Sequence, residues 1–297
     1  MRRRRRTATV LYACAGVLLA LVILIPFLFA LSASLQTESE LIRRPPPIVA
    51  PHPTVDNYDY VFTGAVPAAY ASKELLRGTV TQDVRQIPKG LRNSFIVATG
   101  TVLINLVFAT LAGYTFARER FLGRQAAFMF ILGSRLLPSV AVAVPIYVAL
   151  RNLDLLDSKL GLVLIYSAFT LPFSIWVLTL YFRSLPLEIE EAARVDGCSR
   201  LETLRHVVLP LAAPGLAAIA AFSFLFGYSE FLFALFTTET PHAKTIPVII
   251  AAVSVNPDAS YTLIAVGIVL SIIAPILFAL AFRRYITSGL VASLTRA

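Results

Sequence analysis

Two charged side chains lie inside otherwise apolar runs: Arg135 in GSRLLPSVAVAVP and Glu230 in FLFGYSEFLFALF. A charge at bilayer depth costs about 2.5–3.5 kcal/mol on insertion scales, so each must face a polar interior or a partner. Their available chemistry is hydrogen bonding to a polar solute or pairing with each other. Tyr228, Ser229 and Asn105 would add uncharged partners for hydroxyl groups. The sequence is compatible with residues that line a path, with a salt bridge between two helices, and with contacts to a second subunit. It does not support covalent or metal chemistry. His52, His206 and His242 fall in separate segments, the intramembrane acids are not paired, and no Gly-x-x-x-x-Gly-Lys-Ser/Thr phosphate loop occurs. Cys14 and Cys198 stand in an apolar run and a polar loop, which implies no extracellular disulfide framework. The chain is expected to bind no cofactor and to catalyse no reaction itself.

The elements that must position these residues are apolar helices. With 57% hydrophobic and 14% charged residues and a mean hydropathy of +0.76, the chain departs from soluble domains, where about a quarter of residues are charged. Six windows are long and apolar enough to cross a hydrocarbon core of about 30 Å. They are Val10–Ser34, Asn93–Ala117, Gln125–Ala149, Leu160–Phe182, Val208–Thr237 and Tyr261–Phe282. The apolar run from Val10 to Ala33 is longer than a usual signal-peptide core, so it is read as a retained span. The expected fold is an all-α membrane protein with six transmembrane helices. Prolines 26, 138, 145, 172, 210, 214 and 275 interrupt five of the six, a pattern suited to kinked helices around a cavity.

A net charge of +9 would ordinarily suggest nucleic acid, but its distribution argues otherwise. With the amino terminus inside, the inner segments hold 15 basic residues against six acids, and the outer segments balance. The whole excess therefore lies on one side. That is the positive-inside asymmetry, and it places both termini in the cytoplasm. Four regions follow: a basic tail and first helix over 1–34, an external Pro-rich segment over 35–91, a five-helix core over 92–285, and a cytoplasmic tail over 286–297. The external segment, with Pro45-Pro46-Pro47, Pro51 and Pro53, is expected to be extended, with a short amphipathic helix near Tyr70–Arg77.

One inner connection, residues 183–207, is too specified to be a spacer. Pro186 followed by Glu188, Glu190 and Glu191 favours a helix start. Ala192 and Ala193 supply helix propensity without bulk, Gly197 supplies a left-handed cap, and Ser199 with Glu202 forms a capping box for a second helix. Leu201, Leu204 and Val208 are expected to share one face of that second helix. The two short helices would make a stiff lever joined to the fifth span at Leu209-Pro210.

The pattern Glu191-Ala192-Ala193, three residues, Gly197, nine residues, Val207-Val208-Leu209-Pro210 resembles the "EAA" loop of ABC importer permease subunits. The run from Phe116 to Gly123, the third-span residues Leu137-Pro138 and Val144-Pro145-Ile146-Tyr147, and Thr170 to Trp176 resemble the smaller permease of maltose-type importers. The likeness covers roughly residues 91–290. It departs from the family at Tyr228-Ser229-Glu230, where Trp-Asn-Glu or Trp-Asn-Asp is usual, and in the missing Lys-Gly ending. The resemblance implies the type I importer permease fold in a bacterial or archaeal cytoplasmic membrane. It implies a heterodimer with a second permease, two ATPase subunits that hold ATP and Mg, an extracytoplasmic binding protein, and no nucleic acid. It implies ATPase coupling through Glu190, Glu191, Ala192, Ala193, Asp196, Gly197, Leu201, Leu204, Leu209 and Pro210, and half of a path for a sugar. The same machinery could carry a polyol, a glycerophosphodiester, a peptide or another non-sugar solute. An autonomous secondary transporter would need inverted repeats or coupling-ion acids, which are not seen.

Overall fold

The computed structural model describes residues 2–65, 83–256 and 259–294, with side chains for 12–65, 83–256 and 259–283. The helix expected near Tyr70–Arg77 lies outside these residues. Among the described residues the chain is helical throughout, without strands. It divides into two compact units, 1–88 with 249–273, and 89–248 with 274–297. Residues 249–273, read from sequence as part of the 92–285 core, group instead with the amino-terminal unit.

In the first unit, α1 (Arg2–Ser34) opens with five arginines and is apolar on all sides over its candidate span Tyr12–Ser34, which buries none of its apolar window in the chain. A helix hydrophobic all round belongs in lipid or against another subunit. The segment after it is more ordered than an extended spacer. It carries α2 (Glu38–Leu41) and α3 (Asp56–Thr63). Buried Asn57 ties the segment back by donating its amide to the carbonyls of Ser34 (2.9 Å) and Gln36 (2.7 Å). The Glu38 carboxylate accepts the backbone N–H groups of Tyr261 and Thr262, both at 3.1 Å, and so caps the first turn of α14 (Tyr261–Leu294). Donors orphaned at a helix start are what a carboxylate satisfies best. Helix α14 runs on through residues 286–294.

The second unit is built around α7 (Lys159–Ser184), the most buried span. It packs against α4 (Ile87–Arg118) and α11 (Ala213–Ser229). Small residues let the backbones approach, as membrane helices require. A Cβ at Gly113 would sit 2.9 Å from the Leu178 Cβ, and one at Gly227 would sit 3.2 Å from the Ala98 Cα. Two apolar clusters fill the unit, one around Tyr166 and Phe233, the other around Phe182 and Leu204.

Among the described residues four helices are long and apolar enough to cross a membrane, and two further bent pairs raise the number of spans to six if each pair counts as one. The window Gln125–Ala149 is not one straight helix. Helix α5 (Arg124–Gly133) runs through a 3-10 turn, Ser134–Leu136, and meets α6 (Ser139–Asn152) at 100°. Pro138 is the cause. It cannot donate a helical hydrogen bond, and it forces Leu137 out of the helical region to ψ 124°. The window Val208–Thr237 is broken likewise. Helix α11 ends where Glu230 turns extended, at ψ 132°, and α12 (Leu232–Thr237) follows. The outer connection between residues 238 and 260 holds α13 (Ile246–Ser254), whose Ile246, Val248, Ile249 and Val253 are buried. Its nine residues rise about 14 Å, too short to cross a membrane.

The outer turn between α6 and α7 is held by Asp157, in the left-handed region at φ 49°. Its carboxylate accepts from the Thr240 hydroxyl and from the backbone N–H of Glu239 and Thr240. Partial burial raises its pKa, but these hydrogen bonds outweigh that and leave it below the usual carboxylate range. Because the folded value is depressed, the stabilisation is present at neutral pH and fades as pH falls through the folded pKa. Asp157→Ala is expected to cost about 1–3 kcal/mol. Thermal unfolding in detergent should show a lower midpoint at neutral pH, with the gap to wild type closing on acidification.

Orientation follows from the one-sided charge. A cysteine at exposed Thr63 should react with an impermeant thiol reagent in intact cells, and one at Val195, 87% exposed, should react only after permeabilisation. The reverse pattern would overturn the topology.

Candidate functional site

The inner connection folds as two short helices at a sharp corner. Helix α8 (Leu187–Val195) starts at Pro186 with Glu188 and Glu190 in its first turn. It ends in a Schellman arrangement: Cys198 N–H bonds the Ala193 carbonyl (3.0 Å), and Gly197 N–H bonds the Arg194 carbonyl (3.1 Å). Gly197 has φ 93°, with no atom within 4 Å of where a Cβ would stand. Glycine is needed there for its backbone angle and not for space. Helix α9 (Arg200–Thr203) opens with the Ser199/Glu202 capping box. Ser199, through its hydroxyl and its backbone N–H, holds the Glu202 carboxyl below the usual range.

The arm then departs from a regular helix. Residues Leu204–Val208 form a π turn, followed by α10 (Leu209–Leu211). The arm meets α11 at 78°, with the break at Ala212 between Pro210 and Pro214. So Leu209 and Pro210 belong to the arm and not to the membrane helix. Leu204 and Val208 are buried together, but Leu201, expected on the same face, is 68% exposed and Thr203 completes the buried face in its place. Thr203 lies only 100° from Leu204 around the helix, on the side away from Leu201.

Burial sorts the remaining loop residues into two faces. Glu191, Ala192, Asp196, Gly197, Leu201 and Pro210 are exposed; Glu190, Ala193 and Leu204 are buried, and Leu209 is half-buried. The exposed face also carries the apolar side chains of Val195, Leu187 and Ile189. The inward turn of Glu190 is not visible in the loop's own sequence. Its carboxylate receives Arg118 Nε and Tyr114 Oη, each at 2.7 Å, from the end of α4. Arg118 also donates to the Leu185 carbonyl at 3.1 Å, and Arg200 pairs with Glu119 at 2.6 Å. Sequence offers Arg118 only as part of the run Phe116 to Gly123 and does not mark Tyr114, although their four-residue spacing places them on one helix face.

The residues expected in a path are dispersed. Arg135 sits in the 3-10 turn at the broken span, exposed, with Nη1 on the Phe169 carbonyl at 2.7 Å. It lines a cavity of about 360 Å³ with Ser134, Pro145, Ile146 and Phe169. Glu230 receives the backbone N–H groups of Phe233 (3.0 Å) and Ala234 (3.3 Å), so it caps α12. Among the described residues no ion pair joins it to Arg135. Asn105 is wholly buried and donates to Thr170 and Ser223, tying α4 to α7 and α11. Tyr228 is buried too, while Ser229 is exposed and bonds the Leu225 carbonyl. In this conformation Asn105 and Tyr228 line no open surface. Among the described residues no cluster of His, Cys, Asp and Glu could hold a metal ion.

Comparison with known proteins gives the family and the fold. The family described as "binding-protein-dependent transport system inner membrane component" matches residues 105–291. The trehalose/maltose transport system permease protein MalG of Thermococcus litoralis is 31% identical over 95% of both chains. The trehalose transport system permease protein SugB of Mycobacterium tuberculosis is 32% identical over 90% of both. A crystal structure of a bacterial ABC transporter involved in import of the acidic polysaccharide alginate superposes with a TM-score of 0.75, covering 95% of this chain and 98% of that one at 21% identity. The likeness in structure fixes the fold, and the family brings an ATPase and a binding protein as partners. The chain belongs to the binding-protein-dependent ABC transporter permeases: a multi-pass subunit of the cytoplasmic membrane that moves solute and is not itself an enzyme.

Proposed function

We propose that this chain forms half of the translocation path of an ATP-driven sugar importer. It pairs with a second, non-identical permease, receives solute from an extracytoplasmic binding protein, and is driven by two ATPase subunits that hold ATP and Mg. One observation carries the reading: the inner connection presents one face outward, Glu191, Ala192, Asp196 and Gly197, while its other face is fastened to the helix bundle. A loop that only joined two spans would need neither the Schellman end nor the capping box. The carbohydrate assignment rests on the trehalose and maltose permeases that resemble the chain over nearly its whole length. Its test is to copurify the binding protein with the complex and identify the ligand by mass spectrometry. A disaccharide or oligosaccharide is expected; an amino acid or peptide would overturn it.

Arg135 is the proposed contact with solute, because it lines a cavity with most of its guanidinium hydrogens unused. A hydrogen bond to a charged group contributes about 1.5–3 kcal/mol, or roughly 10- to 150-fold. Arg135→Met should therefore lower uptake by at least tenfold with the subunits still copurifying. Wild-type uptake would remove Arg135 from the path.

A further inference from the structure

The cytoplasmic end of α4 is joined to the coupling loop by contacts that the chain's connectivity does not require. Glu190 is 2% exposed and Arg118 10%. Glu190 takes one hydrogen bond on each carboxylate oxygen, from Arg118 and from Tyr114. Arg118 reaches past it to the Leu185 carbonyl, just before α8, and Arg183 donates to the Phe116 carbonyl at 3.3 Å. The tie therefore runs both ways across the junction. Tyr114 also packs edge-on against Phe182 at the end of α7, with ring centroids 5.8 Å apart. By sequence, α8 is linked only to α7 before it and to the arm and α11 after it. The buried ion pair adds a third helix, α4, and it does so at the residue next to Glu191 on the opposite face of α8.

We propose that Tyr114, Arg118 and Glu190 form a latch that transmits movement of the coupling loop directly to α4. These three are positioning residues: they touch neither nucleotide nor solute, and they hold α8 rigidly against α4 so that displacement of its outer face moves three spans together. Buried ion pairs add little net stability over apolar packing of the same shape, while they hold one defined geometry. The loss expected on removing the latch is therefore in coupling and not in assembly. The inference rests on the reading of this loop as the ATPase contact.

The test uses the full complex with its partner subunits in proteoliposomes, reading copurification, ATP hydrolysis and uptake. Arg118→Met with Glu190→Leu replaces the buried pair by apolar groups of similar size and leaves no lone charge. Copurification should persist, and uptake per ATP hydrolysed should fall about tenfold, within the 5- to 150-fold span of coupling between sites. Tyr114→Phe deletes one hydrogen bond with little change in shape and should lower the same ratio by about twofold to tenfold. Arg118→Lys keeps a cation beside Glu190 and should retain more coupling than the double variant. An unchanged ratio in the double variant overturns the latch; if that variant does not assemble, an unchanged ratio in Tyr114→Phe overturns it. Glu191→Lys separates the two levels of the argument. If it abolishes uptake while the latch variants transport normally, the latch alone fails. If Glu191→Lys also transports normally, the coupling reading fails with it.

Discussion

Gly197→Val is expected to abolish most ATP-driven uptake without removing the protein from the membrane. The space around Gly197 is open, so the valine meets no steric clash with other residues. The whole effect comes from φ 93°, which a β-branched residue adopts only at a cost of about 1–3 kcal/mol. The chain relieves that strain by rotating φ negative. The hydrogen bonds from Gly197 and Cys198 to the end of α8 then break, and the corner between α8 and α9 opens. A lever with a loosened corner still binds its partner but no longer passes on a displacement, so uptake should fall tenfold or more. Gly197→Asn is the matched control. Asparagine tolerates the left-handed region and should keep at least half of wild-type uptake. Equal uptake from Val and Asn variants would show that the corner's angle does not matter to transport.

The second large effect is on stability. Glu190→Ala leaves the Arg118 guanidinium beside a void with one backbone carbonyl as its remaining partner. Breaking a buried pair from one side costs about 3–5 kcal/mol, because the surviving charge is uncompensated. The subunit should be depleted from membranes, with a sharply lower thermal midpoint in detergent. Adding Arg118→Met should recover much of the loss. Glu191→Ala, one residue along but exposed, should change the midpoint little. A similar midpoint for both alanine variants would mean that the inward face of α8 is not load-carrying in the membrane.

These two residues also mark where sequence reading succeeds and where it stops. Gly197, Ser199 and Glu202 act on neighbours within a few residues, so their caps are visible in the order of residues alone. The spans were legible because length and apolar content decide membrane crossing. Pro138 signalled a kink, but its 100° size depends on the 3-10 turn before it. Glu190 stands with Glu188 and Glu191 in one acidic helix start, and only tertiary structure sets it apart from them. Its partners, Tyr114 and Arg118, lie more than 70 residues upstream. Helix α8 even inverts the usual expectation: Leu187 and Ile189 are exposed while a carboxylate is buried. The π turn after Thr203 had no sequence signal of its own, so Leu201 was assigned to the wrong face. Asn105 is a path candidate from sequence as an uncharged partner for hydroxyl groups, and its own neighbours show no partner for it. Thr170 and Ser223, which accept from its amide, lie 65 and 118 residues away on two other helices.

The central claim is that the outward face of α8 meets the ATPase. A cysteine at exposed Ala192, carrying a short photoreactive group, tests it in the assembled complex in native membranes. Illumination should give an adduct between this subunit and the ATPase, and the same probe on exposed Thr63 should give none. Absence of the Ala192 adduct, in membranes where the ATPase still copurifies with the permease, would contradict the account.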